Sequence, residues 1–226
     1  MTDNTKNTKR TVPVVLTEDT KRTVPVVLKR IGITGGMGAG KSEVTRYLRG
    51  KGYTVIDADE AAREAAVPGE PAMLRLREEI GDGIFLEDGN LDRQALAKLM
   101  FYDSIILMTV NEIFHRDIWE RIEKHAKECE ERGEQVVFLA VPLLFESDMD
   151  WGLDETWLVT ADDSVRIERA MKRDGISEED AIARMQSQMP EEEKRARAGV
   201  IIENNGTKEE LLARVDGLLA QRPGPR

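Results

Sequence analysis

Residues 35–42 read Gly-Gly-Met-Gly-Ala-Gly-Lys-Ser, which satisfies the spacing G-x-x-x-x-G-K-[ST]. Glycines at these positions let successive backbone N–H groups turn inward as an anion-binding nest, and a following helix adds its positive dipole end. Lys41 then supplies a point charge between β- and γ-phosphates, and the Ser42 hydroxyl stands where it can ligate Mg²⁺. The flanks are the required ones, an apolar run Arg30–Thr34 before the glycines and helical spacing Lys41–Lys51 after them. Residues of this kind bind the phosphates of ATP or GTP. A second chemical group follows at Ile56-Asp57-Ala58-Asp59, where carboxylates end a short apolar run. A carboxylate at the C-terminal edge of a parallel sheet can accept a proton from an attacking hydroxyl, or it can cap the next helix. Asp57 is the better cap and Asp59 the freer carboxylate, although one residue can serve both roles. The third group is basic: Arg166, Arg169 and Arg173 recur at i, i+3 and i+7, so they share one helical face, with Arg184 further on. Guanidiniums converging over such a loop neutralise charge on a phosphoryl group in transfer. The alternative is a solvated face paired with Glu168, Glu178, Glu179 and Asp180.

These residues need a scaffold, and the pattern of the chain describes one. The 226 residues amount to about one and a half domains. Short apolar runs at Arg30–Thr34, Tyr53–Ile56, Val136–Val141, Thr156–Thr160 and Val200–Glu203 alternate with helical stretches. Alternation of that kind predicts an α/β fold with a five-stranded parallel sheet and right-handed crossovers. About 80 residues separate the second and third runs, so this crossover carries a helical subdomain. Between the fourth and fifth runs, Ser164–Arg173 and Glu178–Met189 read as a helical hairpin, a lid over the glycine loop, with Ser177 and Asp180 as a capping box. The expected layout is an N-terminal extension over residues 1–28 and a nucleotide-binding α/β domain over 29–222. Its core is 29–66, 134–162 and 198–222, its helical acceptor-binding insertion about 67–133, and its α-helical lid about 163–197.

The extension contains a duplication: Thr8–Leu16 and Thr20–Leu28 both read TKRTVPVVL. Two copies of nine residues cannot make a solenoid. They read as a duplicated leader or alternative start region, with a basic arm or an added edge strand as the other readings.

Charge narrows the partners. With 33 Lys+Arg against 43 Asp+Glu the net charge is −10, and the first 30 residues hold seven basic and three acidic groups. That segment is +4, which leaves −14 on the other 196 residues. A body so acidic argues against broad binding to nucleic acid or an anionic membrane, though a pocket can still be locally positive. No apolar stretch approaches the roughly 18 residues of a membrane span, and the N-terminus lacks the apolar core of a signal peptide. The single Cys129, among glutamates, reads as a helix-surface thiol in a reduced, cytoplasmic protein.

The combination I-T-G-G-M-G-A-G-K-S (33–42), V-I-D-A-D-E-A-A-R (55–63), L-D-R (91–93), V-P-L-L-F-E (141–146) and E-N-N-G (203–206) resembles the dephospho-coenzyme A kinases. The resemblance covers about residues 30–216. It implies the P-loop kinase fold and transfer of the γ-phosphoryl group of ATP to the 3′-hydroxyl of dephospho-CoA. It also implies Asp59 as catalytic base, Lys41, Arg169 and Arg173 as further catalytic groups, and Arg63, His115, Pro142, Leu143 and Leu144 on the acceptor side. ATP would meet Gly36, Gly38, Ala39, Gly40, Lys41, Ser42, Glu43 and Asn204, the last beside the adenine, with Mg²⁺ at Ser42. Two positions depart from the family pattern. Arg116 follows His115 where the family has proline, and Glu43 stands where many members have threonine. Two rival readings remain at this level: a P-loop kinase of a nucleoside or nucleoside monophosphate, and a nucleotide-dependent switch. The third strand run ends in Pro142 with no D-x-x-G motif, which disfavours the switch.

Overall fold

The computed structural model describes residues 14–15, 24–25 and 27–225. Within the extension, β1 (Val14–Val15) and β2 (Val24–Pro25) pair antiparallel with each other and not with the main sheet. The other readings of residues 1–26 lie outside the described residues.

The main sheet contains β3 (Lys29–Thr34), β4 (Thr54–Asp57), β5 (Val136–Ala140), β6 (Glu155–Thr160) and β7 (Val200–Glu203). Its order is β4-β5-β3-β6-β7 with every pairing parallel. Parallel strands covered on both faces must be apolar throughout, and all five residues of β5 are buried. Side-chain alternation sends them to two different cores. Phe138 packs with Ile31, Ile33 and Trp157 against α1 (Lys41–Gly50) and α9 (Lys208–Leu219). Val137 and Leu139 face the other way, toward Ile122 and Ala126. The register pairs Ile33 and Asp57 with Ala140, and Thr34 with Leu158, so β4, β5 and β3 finish within a residue of one another while β6 runs two residues further. That edge is where ligands bind in such sheets.

After β4 come α2 (Ala58–Ala65), α3 (Pro71–Ile80), a 3₁₀ turn (Asp82–Ile84), α4 (Arg93–Tyr102) and α5 (Ser104–Glu131). Asp92 and Asp103 cap α4 and α5, each accepting from two backbone N–H groups of the first turn. At 28 residues α5 is about 42 Å long. Its upper half packs Val110 and Ile113 into a third core with Ala72, Leu76 and Ile84, while its lower half lies on the sheet. Arg121, braced by Asp117 on its own helix, ties α5 to Glu64 of α2 and to Glu70 at the start of α3. The insertion is therefore fastened to the helix that carries Asp59. No described helix is long and apolar enough to cross a membrane.

Leu28 is fully buried with Ile122 and Ala126, and Tyr53 Oη donates to the Pro223 carbonyl. Two expectations about the lid need correction. After α6 (Asp163–Asp174), the second lid helix α7 (Glu178–Gln186) stops three residues short of Met189, and a further helix α8 (Glu191–Arg197) follows. Pro190 carries no N–H and breaks the ladder there. Ser177 caps α7 without the reciprocal bond; the full capping box is Thr207 with Glu210 at α9.

Cys129 is buried, not on the helix surface, because its helix face meets the sheet. Burial chiefly, with the Glu134 charge second, raises its pKa from 9.0 to about 11. An unfolded chain ionises this thiol first. Its stabilising effect is thus complete below about pH 9 and fades as pH rises toward 11. An alkaline titration of thiolate absorbance should show a midpoint near 11; a midpoint near 9 would contradict the burial.

Candidate functional site

The site starts at the end of β3. Thr34 Oγ1 donates to the Pro142 carbonyl at 3.1 Å, joining β3 to the segment that leaves β5. The chain then turns through Gly38 (φ 74°) and Gly40 (φ 103°), left-handed conformations that a side chain would strain. Gly40 hands the chain to α1, so Lys41 and Ser42 open a helix whose first N–H groups are free. Among the described residues the amides of Gly38, Gly40, Lys41 and Ser42 make no hydrogen bond within the protein. This is an anion cradle at a helix N-terminus.

A cleft of about 720 Å³ opens over the cradle. Gly36, Gly38, Gly40, Lys41, Ser42, Glu43, Asp59, Pro142, Arg169 and Arg173 all line it. Its charged lining is five cations (Lys41, Arg46, Arg169, Arg173, Arg184) against three carboxylates (Glu43, Asp57, Asp59). The pocket is thus locally positive on a chain of net charge −10. Burial lowers the pKa of Lys41 below its usual value, and the Asp57 and Asp59 carboxylates oppose that shift.

The two aspartates divide their work as the spacing suggests. Asp57 Oδ1 accepts from the Asp59 N–H at 2.9 Å and caps α2. Asp59, on the first turn, is exposed and its carboxylate has no hydrogen-bond or ion-pair partner among the described residues, so it remains available to a ligand. Arg63 stands one helical turn later, exposed, and does not line the cleft.

Other candidates lie elsewhere. His115 is exposed on α5 and outside the cleft, and Leu143 is exposed. Leu144 is fully buried beneath Gly32, where it packs the core and does not line this cleft. Ala39 is buried, and its carbonyl accepts from Asn204 Nδ2 at 2.8 Å. Asn204 thus ties the turn after β7 to the glycine loop through its side chain. Its backbone N–H donates to Thr160 (2.7 Å) and its carbonyl accepts from Arg169 Nη1 (2.9 Å). Glu43 pairs with Lys208 at 2.7 Å and with Arg46, and these two cations lower its pKa in that order.

The lid arginines separate. Arg169 rests on the Asn204 carbonyl and Arg173 on Asp174 (2.7 and 2.8 Å), both beside the cleft. Arg166, expected on the same face, is buried against the glycine loop. The lid is also fixed at its return: Lys194 pairs with Glu146 at 2.7 Å and Arg197 donates to the Phe145 carbonyl at 2.8 Å. Sequence reasoning gave no role to Gln188, whose Oε1 accepts from the Met37 N–H. A glutamine in a polar turn carries no periodic signal that marks such a contact.

A family model described as dephospho-CoA kinase matches residues 29–210. The chain is 40% identical over 192 residues to the dephospho-CoA kinase of Shouchella clausii, covering 85% of this chain and 98% of that one. It is 42% identical to the dephospho-CoA kinase of Geobacter sulfurreducens, with the same coverage. Among solved structures, TT1252 from Thermus thermophilus superposes with a TM-score of 0.74 at 38% identity, over 87% of this chain and 98% of that chain. The dephospho-CoA kinase of Campylobacter jejuni, at 22% identity and a TM-score of 0.64 over 86% and 99%, shares the fold.

Proposed function

The chain belongs to the dephospho-CoA kinase family, and from that premise we propose that it transfers the γ-phosphoryl group of ATP to the 3′-hydroxyl of dephospho-CoA through Asp59. The observation that carries the residue-level reading is that the unpaired Asp59 carboxylate opens into the same cleft as Lys41 and Ser42. Family membership displaces both the nucleoside-kinase reading and the switch.

In the proposed reaction the free amides of the glycine loop hold the β-phosphate, and Lys41 bridges β- and γ-phosphates. The 3′-oxygen attacks the γ-phosphorus in line, its proton passes to Asp59, and the bond to the β-phosphate oxygen breaks, leaving ADP. Among the described residues, Arg169 and Arg173 have the Asn204 carbonyl and the adjacent Asp174 as the partners to leave, so both can turn toward charge on the transferring group. Arg63 and the α2–α5 insertion would meet the acceptor. The Ser42 hydroxyl and nearby carboxylates form an all-oxygen donor set, which suits Mg²⁺ better than a transition metal. When bound, Mg²⁺ neutralises phosphate charge. A buried, protonated thiol supports a reducing, cytoplasmic setting.

ADP release measured by a coupled assay should depend on dephospho-CoA. Turnover no faster than the ATPase rate without acceptor would overturn the assignment.

A further inference from the structure

One residue of the glycine loop is gripped at both ends by side chains from the lid segment. The Met37 N–H donates to Gln188 Oε1 at 3.2 Å, and the Met37 carbonyl accepts from Arg166 Nε at 3.1 Å. Arg166 sits in the first turn of α6 and Gln188 between α7 and α8, so residues about twenty apart meet on one peptide segment. The contact is close. A Cβ on Gly36 would lie 2.2 Å from Arg166 Nη2, and one on Gly38 would lie 2.3 Å from the Arg166 carbonyl oxygen. Gly38 is therefore required by the approach of the α6 backbone as well as by its own φ of 74°, and a side chain at Gly36 would displace the Arg166 guanidinium.

Arg166 is 4% exposed. Its Nη1 faces Glu191 at 3.0 Å and Asp163 at 3.3 Å, so two carboxylates already answer its charge. Glu191, in the first turn of α8, thus pairs with a buried guanidinium, while Glu192 and Glu193 beside it are exposed. Arg166 does not line the cleft, whereas Arg169, Arg173 and Arg184 do. A guanidinium neutralised in this way adds little field at a phosphate; its geometric effect on the loop is larger.

We infer that Arg166, held by Glu191 and acting with Gln188, is a positioning residue that fixes the Met37 peptide units and thereby the amide cradle behind them. This rests on reading the loop as the nucleotide site. The cradle serves the β-phosphate, so the chemistry predicts a specific pattern: ADP and ATP should suffer alike when the clamp is lost. A guanidinium touching the γ-phosphate would instead cost ATP alone.

The experiment measures ADP and ATP dissociation constants, kcat and both KM values for the full-length chain, with folding checked by thermal melting. Arg166→Ala should weaken ADP and ATP by the same factor, about tenfold, as expected for leaving buried polar groups unpaired. KM for dephospho-CoA should stay within about twofold, since the acceptor lies beyond the loop. Glu191→Ala should produce a smaller loss of the same kind, and should add nothing in the Arg166→Ala background. If Arg166→Ala does not fold, Glu191→Ala alone must show the equal loss. Weakened ATP with unchanged ADP overturns the inference, as does unchanged binding of both by a folded variant. Failure of the unaltered chain to bind ADP would overturn the nucleotide site and this inference with it, a result distinct from normal ADP binding by Arg166→Ala.

Discussion

Asp59→Asn lowers kcat by about 10²–10⁴ while ATP affinity stays within a few-fold, the expected loss for a general base that does not hold the nucleotide. The carboxamide is isosteric but cannot take the 3′-hydroxyl proton. The fold should tolerate it, because the capping carboxylate of α2 belongs to Asp57 and accepts from the Asp59 backbone, not from its side chain. Melting temperature should therefore move little, within the usual range for an exposed substitution. Asp57→Asn is the control: it disturbs the cap and the weak pairing with Arg49 at 3.9 Å, and its main effect should be on stability. Steady-state kinetics with calorimetric nucleotide binding separates the two. Loss of nucleotide binding in Asp59→Asn would make its role structural or linked to the metal.

Lys41→Met has the other large expected effect, a fall of about 10²–10³ in kcat/KM with ATP affinity also reduced. Methionine keeps the apolar stem and removes the charge. Lys41 is desolvated, and the Asp57 and Asp59 carboxylates are the charges that favour its cationic form. Its loss therefore leaves those carboxylates facing the triphosphate with one cation fewer. The expected change differs in kind from that of Asp59→Asn: both binding and turnover drop, since Lys41 contacts the phosphates before and during transfer. An effect confined to kcat, with unchanged ATP affinity, would remove Lys41 from ground-state binding. Arginine should not restore activity, because its planar fork does not fit a site shaped for a compact ammonium.

Some of this was readable before any coordinates. The glycine spacing, the Lys-Ser pair and the strand and helix around them define a phosphate cradle by local chemistry, and the cradle forms within eight consecutive residues. The five apolar runs were readable because buried parallel strands leave an uninterrupted apolar signature, as at Val136–Ala140. Asp59 was legible for a similar reason: it lies two residues past a strand end, and strand ends determine their own place at the sheet edge.

Other parts were not legible. Asn204 and Ala39 are 165 positions apart, and nothing in either local pattern records the 2.8 Å bond between them. Cys129 sits among glutamates in sequence, yet its helix face turns to the sheet, since α5 belongs to two cores at once. Periodicity placed Arg166, Arg169 and Arg173 on one face, and one face was insufficient to assign a role. Arg166 goes to the loop while the other two remain at the cleft, a division made by how closely α6 approaches Gly36 and Gly38.

The sequence alone thus determined the chemistry available to this protein: a phosphate cradle, a carboxylate beside it and mobile cations over it, on a five-stranded parallel sheet. Those features depend on residues close in the chain, where spacing translates directly into geometry. Only the tertiary structure decided which cations face the ligand and which brace the loop. That choice depends on contacts between segments more than a hundred residues apart, which packing selects and local pattern does not encode.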